Sequence, residues 1–194
     1  GDTLYMEPEI FQLENIVVSA TRWRQNYTSV SQAILVIEPE VIRLRQPQTM
    51  ADALGLSGKV FIQKSQQGGG SPMIRGFATN RLLYSVDGIR MNTAIFRSGN
   101  IQNVINLDPF SMQRSEILFG PSSVMYGSDA IGGVMSFETL TPEFALDSVR
   151  NIFNPIASGK AVIRGISANN ERTGHLNVQL GWNKWAWLGS ISRW

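Results

Sequence analysis

The densest backbone specialisation in this chain is the stretch FGPSSVMYGSDAIGGVMSF, residues 119–137, with glycines at 120, 127, 132 and 133. Glycine-rich loops cradle phosphates when they read G-x-x-x-x-G-K-[ST], or G-x-G-x-x-G between a strand and a helix. Neither spacing occurs here or around Gly68-Gly69-Gly70, which no lysine follows. A nucleophile elbow needs G-x-S-x-G, and Gly120-Pro121-Ser122 breaks that spacing because Val124 stands where the last glycine belongs. The chain has no cysteine and a single histidine, His175. Thiol catalysis, disulfides, thiolate metal centres and multi-histidine metal sites are therefore excluded. These residues support no covalent chemistry and no resident cofactor. What remains for the glycines is positive-φ turns and close approach of one backbone to another.

The elements that would need such turns follow from the rest of the chain. At 194 residues, with 43% apolar and 16% charged residues and a net charge of +2, the chain can build one full domain, or one domain and part of another. The small, dispersed charge argues against nucleic acid as a partner. No apolar run reaches the roughly 18 residues of a membrane helix, and no basic start precedes an apolar run, so a signal peptide is expected to be absent or removed. Residues 1–15 carry no periodicity. Ile16-Val17-Val18 and Ala33 to Ile37 read as short strands. Pro39 opens a helix that Pro47 ends, and Thr49 caps a second that Gly55 stops. Strands are predicted over 59–64, 73–76 and 81–91, the last ending at the turn dipeptide Asp87-Gly88. Asp108-Pro109 caps another short helix, SEILF (115–119) and GGVMSFET (132–139) are strands, and Ser122 to Met125 forms one helical turn.

Beyond residue 140 the pattern changes. Segments 159–168, 173–182 and 184–194 read as facing strands with a tight turn at Asn183-Lys184. In the middle one, Leu176, Val178, Leu180 and Trp182 alternate with His175, Asn177, Gln179 and Gly181. Period two places apolar side chains on one face and polar ones on the other. Strands of about ten residues with tryptophans near their ends match a membrane β-barrel. A soluble sheet with one wet face produces the same alternation.

Taken together, ENIVVSATR (14–22), MIRG (73–76), LLYSVDGIRMN (82–92) and EILFGPSSVMYGSDAIGGVMSF (116–137) resemble the plug domain of TonB-dependent outer-membrane receptors. The order and spacing agree over about residues 14–140, and the dipeptides Arg75-Gly76, Asp87-Gly88, Gly120-Pro121, Tyr126-Gly127 and Gly132-Gly133 make the match specific. The resemblance implies an α+β plug domain, a small mixed sheet with short helices, followed by antiparallel strands that begin a transmembrane β-barrel. It divides the chain into an arm (1–22), a plug (23–140) and a linker with two to three barrel strands (141–194). A barrel of about 22 strands needs several hundred residues, whereas 54 follow Leu140, so the barrel is expected to be incomplete in this chain.

The resemblance also implies roles. Glu14, Asn15, Ile16, Val17, Val18, Ser19 and Ala20 occupy the place of the box that pairs with the C-terminal domain of TonB as an added strand, a mode in which main-chain hydrogen bonds supply affinity. The same residues serve equally as a first plug strand. Two apical segments, 64–71 and 91–103, are expected to touch cargo through Gln66, Gln67, Gly68, Gly69, Ile95, Phe96, Arg97, Ser98 and Asn100. Arg75 is the candidate for locking plug to barrel, because Phe119 stands where many members carry a second arginine. The segment IFRSGNIQNVINLDPF (95–110) is similar to haem and haem-protein receptors, although neither apical segment contains a histidine, and His175 is expected to be a lumen-facing polar residue. The function so implied is a plug that gates active uptake of a scarce nutrient, a metal chelate, haem or a cofactor, across a bacterial outer membrane. The alternative is a soluble plug-like binding or adaptor domain without a transport role.

Overall fold

The structure is a computed structural model that describes residues 16–17, 25–26, 33–64, 70–78, 81–91, 104, 107–120, 126–145, 155–167 and 170–193. A two-residue strand, β1 (Ile16–Val17), pairs antiparallel with β2 (Gln25–Asn26). The central sheet contains β3 (Ala33–Ile37), β7 (Leu82–Val86), β8 (Ile89–Arg90), β9 (Met112–Phe119) and β10 (Gly133–Thr139), in the order β3-β9-β10-β7-β8. Only the β7–β10 pairing is parallel. Helices α1 (Pro39–Arg45) and α2 (Met50–Gly55) follow β3. A small sheet of β4 (Phe61–Gln63), β5 (Ser71–Ile74) and β6 (Phe77–Ala78) stands beside α2.

Strand residues of the central sheet are apolar on both faces, which is why LLY, ILF and VM occur as unbroken runs rather than alternating with polar residues. Leu82, Tyr84, Ile117, Phe119, Met135 and Phe137 point into one core with Ile42, Met50 and Leu54 of the helices. Leu83, Leu118 and Val134 point the other way, onto Ile34 and Ala130. Burial of Tyr84 in the first core drives its phenol pKa well above the ordinary 10.0.

The turn signals are realised with a mechanism at each. Asp87 and Gly88 both have positive φ, 49° and 78°, and join β7 to β8 in a two-residue hairpin loop, the arrangement whose twist suits antiparallel strands. The Asp87 carboxylate then accepts from the Thr139 N–H at 2.9 Å and its hydroxyl at 2.8 Å, fastening the end of β10. Arg75-Gly76 is a second such turn, φ 48° and 83°, between β5 and β6. The strand predicted over 73–76 is therefore β5 ending at Ile74, followed by this turn. Thr49 caps α2 by accepting from the Asp52 N–H at 3.2 Å. Gly55, expected to stop α2, is instead its last residue. It is needed for closeness, since a Cβ there would meet Ile62 at 3.0 Å, and the left-handed turn comes at Gly58. The predicted turn at 122–125 lies outside the described residues.

The last sheet is a meander of β11 (Ile156–Ile166), β12 (Glu171–Gly181) and β13 (Ala186–Arg193). The chain reaches it through residues 140–145, whose Ala145 N–H donates to the Trp182 carbonyl at 3.1 Å. Gly181 is required there, because a Cβ would collide with the Glu143 carbonyl. The sidedness of this sheet separates the two readings of its alternation. His175 is 4% exposed, Thr173 and Asn177 are 7% and Arg164 is 8%, while Ile163 is 91% exposed, Ile191 68%, Trp187 53% and Leu176 47%. A soluble sheet buries its apolar face. This one docks its polar face on the domain that precedes it and turns its apolar face outward, as a lipid-facing barrel wall does.

Candidate functional site

The candidate residues fall in three parts of the fold: the N-terminal strand, the loops of the α+β domain and the polar face of β11–β13. At the N-terminal end, Ile16 pairs with Asn26 and Val17 with Gln25. The backbone of the expected box is thus in extended form and paired within the chain at these two positions. Glu14, Asn15, Val18, Ser19 and Ala20 lie outside the described residues.

The apical residues Gln66, Gln67, Gly68, Gly69, Ile95, Phe96, Arg97, Ser98 and Asn100 also lie outside the described residues, but the bases of both segments are defined. The first springs from the β4–β5 hairpin, where Lys64 forms an ion pair with Asp52 of α2. Gly70 closes that base, since a Cβ there would lie 2.9 Å from Ile62 and 3.1 Å from Ala51. The second follows Arg90 and Met91. The Arg90 guanidinium donates to the Tyr126 carbonyl and lies 4.0 Å from the Asp129 carboxylate. Gly127, φ 87°, leaves room for it, a Cβ coming within 3.1 Å of Nη2. The Tyr126-Gly127 dipeptide thereby anchors the root of the second loop. Burial, and the charge of Glu116, raise the Tyr126 pKa. Glu116 is itself enclosed in β9, with Arg114 Nε 2.6 Å from its carboxylate.

Arg75 sits at the exposed β5–β6 turn with its guanidinium 5.8 Å from the centre of the Phe119 ring. Cation and aromatic face attract through the ring quadrupole, so the residue standing in place of a second arginine is the one Arg75 packs on. The arginine buried between plug and strands is a different one. Arg164 of β11 donates through Nη1 to the carbonyls of Gln46 at 2.6 Å and Pro47 at 2.9 Å. Its Nη2 pairs with Glu171 and donates to Thr173 at 3.1 Å. The period-two pattern of β11 carries this residue on the polar face, but nothing in the sequence names backbone carbonyls more than a hundred residues away as its partners.

A second polar contact joins the same sheet to the turn before β9. Asp108 caps the 3-10 turn Pro109–Ser111 by accepting from the Phe110 N–H at 3.0 Å. It also accepts from the Ser192 hydroxyl and lies 2.8 Å from His175 Nδ1. Phe110 packs on the imidazole, ring centres 5.6 Å apart. Aspartate, histidine and serine together suggest a hydrolytic triad, yet Ser192 and Asp108 both address Nδ1, while Nε2 faces the Asn177 amide at 3.3 Å. A triad needs the serine on one ring nitrogen and the carboxylate on the other. The group is a docking contact, in keeping with the lumen-facing role expected of His175.

The profile of the TonB-dependent Receptor Plug Domain matches residues 27–134. The chain belongs to the TonB-dependent receptors. These are outer-membrane proteins, which agrees with the outward apolar face of β11–β13. The chain is 35% identical over 146 residues to the vitamin B12 transporter BtuB of Vibrio vulnificus (strain CMCP6), covering 73% of this chain and 23% of that one. It is 28% identical over 151 residues to a hemin receptor of Yersinia pestis, covering 75% and 22%. The copper transporter OprC has the same fold, with a TM-score of 0.62 at 19% identity, over 76% of this chain and 21% of that one. The chain therefore spans about a quarter of the length of the relatives it matches, and those relatives are transport receptors rather than enzymes.

Proposed function

We propose that this chain is the gate of a TonB-dependent active transporter, comprising an arm (1–22), a plug (23–140) and the first barrel strands (141–194). The observation that carries this reading is a plug docked on the polar face of a sheet whose opposite face is apolar and exposed. A soluble adaptor has no use for that outward face, whereas a barrel wall requires it. Residues 14–20 serve as the TonB box. Ile16 and Val17 are already extended, so added-strand pairing with the TonB C-terminal domain replaces or extends the β1–β2 pairing without side-chain recognition. The two apical segments contact cargo, held by roots fixed at Asp52–Lys64 and Arg90–Tyr126. Arg75, at an exposed turn, faces barrel strands beyond those of this chain.

The names of two relatives support one cargo class. Cobalamin and hemin are metal-bearing macrocycles, and the names of the two relatives above point to that class. The test is uptake by cells expressing the receptor, with labelled cobalamin and hemin as alternatives. Uptake of one of them is expected to require TonB and to stop when the proton gradient is collapsed. Accumulation that persists without TonB would overturn the coupling reading; uptake of neither would overturn the cargo class.

A further inference from the structure

The capture of α1 by Arg164 has a mechanical consequence. Helix α1 is capped at its C-terminal end by Gln46, a non-glycine residue in the left-handed region at φ 45°. The last carbonyls of a helix have no partner within it, and Pro47 has no N–H with which to carry the chain onward as helix. Arg164 takes the Gln46 and Pro47 carbonyls with one nitrogen, while Glu171 and Thr173 hold the other. Thr173 in turn donates to Glu171 at 2.9 Å, so the guanidinium is fixed from the strand side before it reaches the plug. The guanidinium is enclosed, Arg164 being 8% exposed, with Pro47 and Thr173 buried beside it and Gln46 at the surface.

Upstream of this point the plug is weakly held. Among the described strands, β3 is at the edge of the central sheet and pairs with β9, from Ala33–Phe119 to Ile37–Ser115. Helix α1 is two turns long and contributes one fully buried side chain, Ile42. Downstream, α2 buries Met50, Ala51, Ala53 and Leu54. Among the described elements, tension entering at the N-terminal end thus meets the two-residue β1–β2 pairing, then an edge strand, then a short helix, then a fork anchored in the barrel wall. Local openings follow the least stable unit first.

We propose that Arg164 is a mechanical stop, a positioning residue that transfers tension from the plug backbone to the barrel at Gln46–Pro47. Peeling of β3 and unwinding of α1 are allowed, and the plug from Thr49 onward stays in place. The contact of Asp108 with His175 and Ser192 is a second anchor, beyond the stop. The proposal rests on the reading above only in taking tension to enter at the N-terminal end.

The test uses the receptor in a lipid bilayer, pulled through a handle at its N-terminus with no TonB present, so that failure of TonB binding and failure of the stop are distinguished. About 30 residues lie between Val17 and Gln46, so the first released segment has a contour length of roughly 100 Å at 3.3–3.6 Å per residue, followed by a pause. Arg164→Met is expected to abolish the pause at that length and at least double the first release. Arg164→Lys keeps the charge and loses the fork; it serves if the methionine variant does not insert, and is expected to pause at lower force. Asp108→Asn is expected to leave the first release unchanged and alter only the next. An equal first release in wild type and Arg164→Met, an unchanged pause force in Arg164→Lys, or a wild-type release that runs past Gln46 without pausing, would overturn the proposal.

Discussion

Replacing Gly133 with alanine will cost the plug a large share of its stability. Gly133 has φ 153°, a conformation that side chains resist, and a Cβ there would lie 2.5 Å from the Leu118 carbonyl oxygen and 3.3 Å from the Ile74 side chain. The nearer atom is backbone of the adjacent strand, where Leu118 pairs with Val134 and Phe119 with Gly133, so it cannot turn aside without opening the β9–β10 ladder. Strain in a disfavoured region costs about 1–3 kcal/mol, and forced overpacking about the same again. A total of about 4 kcal/mol is a large share of the roughly 5–15 kcal/mol that holds a domain together. The comparison that isolates the clash is Gly76→Ala. Gly76 also has positive φ, 83°, but nothing lies within 4 Å of its Cβ position, so only the conformational term of about 1 kcal/mol is expected. Urea unfolding of the plug, followed by protease sensitivity of the membrane-embedded receptor, reads both. Equal effects at the two positions would mean that close approach is not why Gly132-Gly133 is there.

The second large effect is expected at Leu176. It stands at the middle of β12, paired with Ala161 and Ile191, on the face turned away from the plug. If that face meets lipid, Leu176→Arg places a charge near the bilayer midplane and destabilises insertion by about 2–4 kcal/mol. On a water-facing sheet the same exposed substitution stays within about 0.5 kcal/mol. Ser190 of β13 is also exposed but lies on the opposite, polar face beside Asn177. Ser190→Arg is therefore expected to fold and insert nearly as the parent does. Folding yield and urea midpoint in phosphatidylcholine vesicles separate the cases, and a neutral Leu176→Arg would contradict the barrel-wall reading.

How far the sequence revealed the molecule depends on how local each signal is. Asp87-Gly88 and Asp108-Pro109 were legible because a turn or cap is decided by a few adjacent residues, and both stand where they were read. Gly55 was misread as a stop, since a glycine needed for Ile62 to pass close and a glycine needed for a left-handed turn look alike in one dimension. The alternation through 175–182 was visible, but period two has no sign. Which face meets the plug emerged only when Arg164, Thr173, His175 and Asn177 were seen buried together. Arg75 drew attention through its dipeptide, whereas Arg164 has no motif, its partners being carbonyls of Gln46 and Pro47. Asp108 was read only as a cap; its second role needs β12 and β13 brought alongside.

The claim on which the rest depends is that residues 14–20 couple this plug to an energised partner through backbone pairing. It is tested most directly by measuring binding of a TonB C-terminal domain to the membrane-embedded receptor, with and without Val17→Pro. Val17 lies within β1, and proline removes the N–H that a strand ladder requires. The account predicts saturable binding to the parent and its loss in the Val17→Pro receptor, with the plug remaining folded. Binding that survives the proline, or a folded receptor that binds no TonB domain, would contradict it.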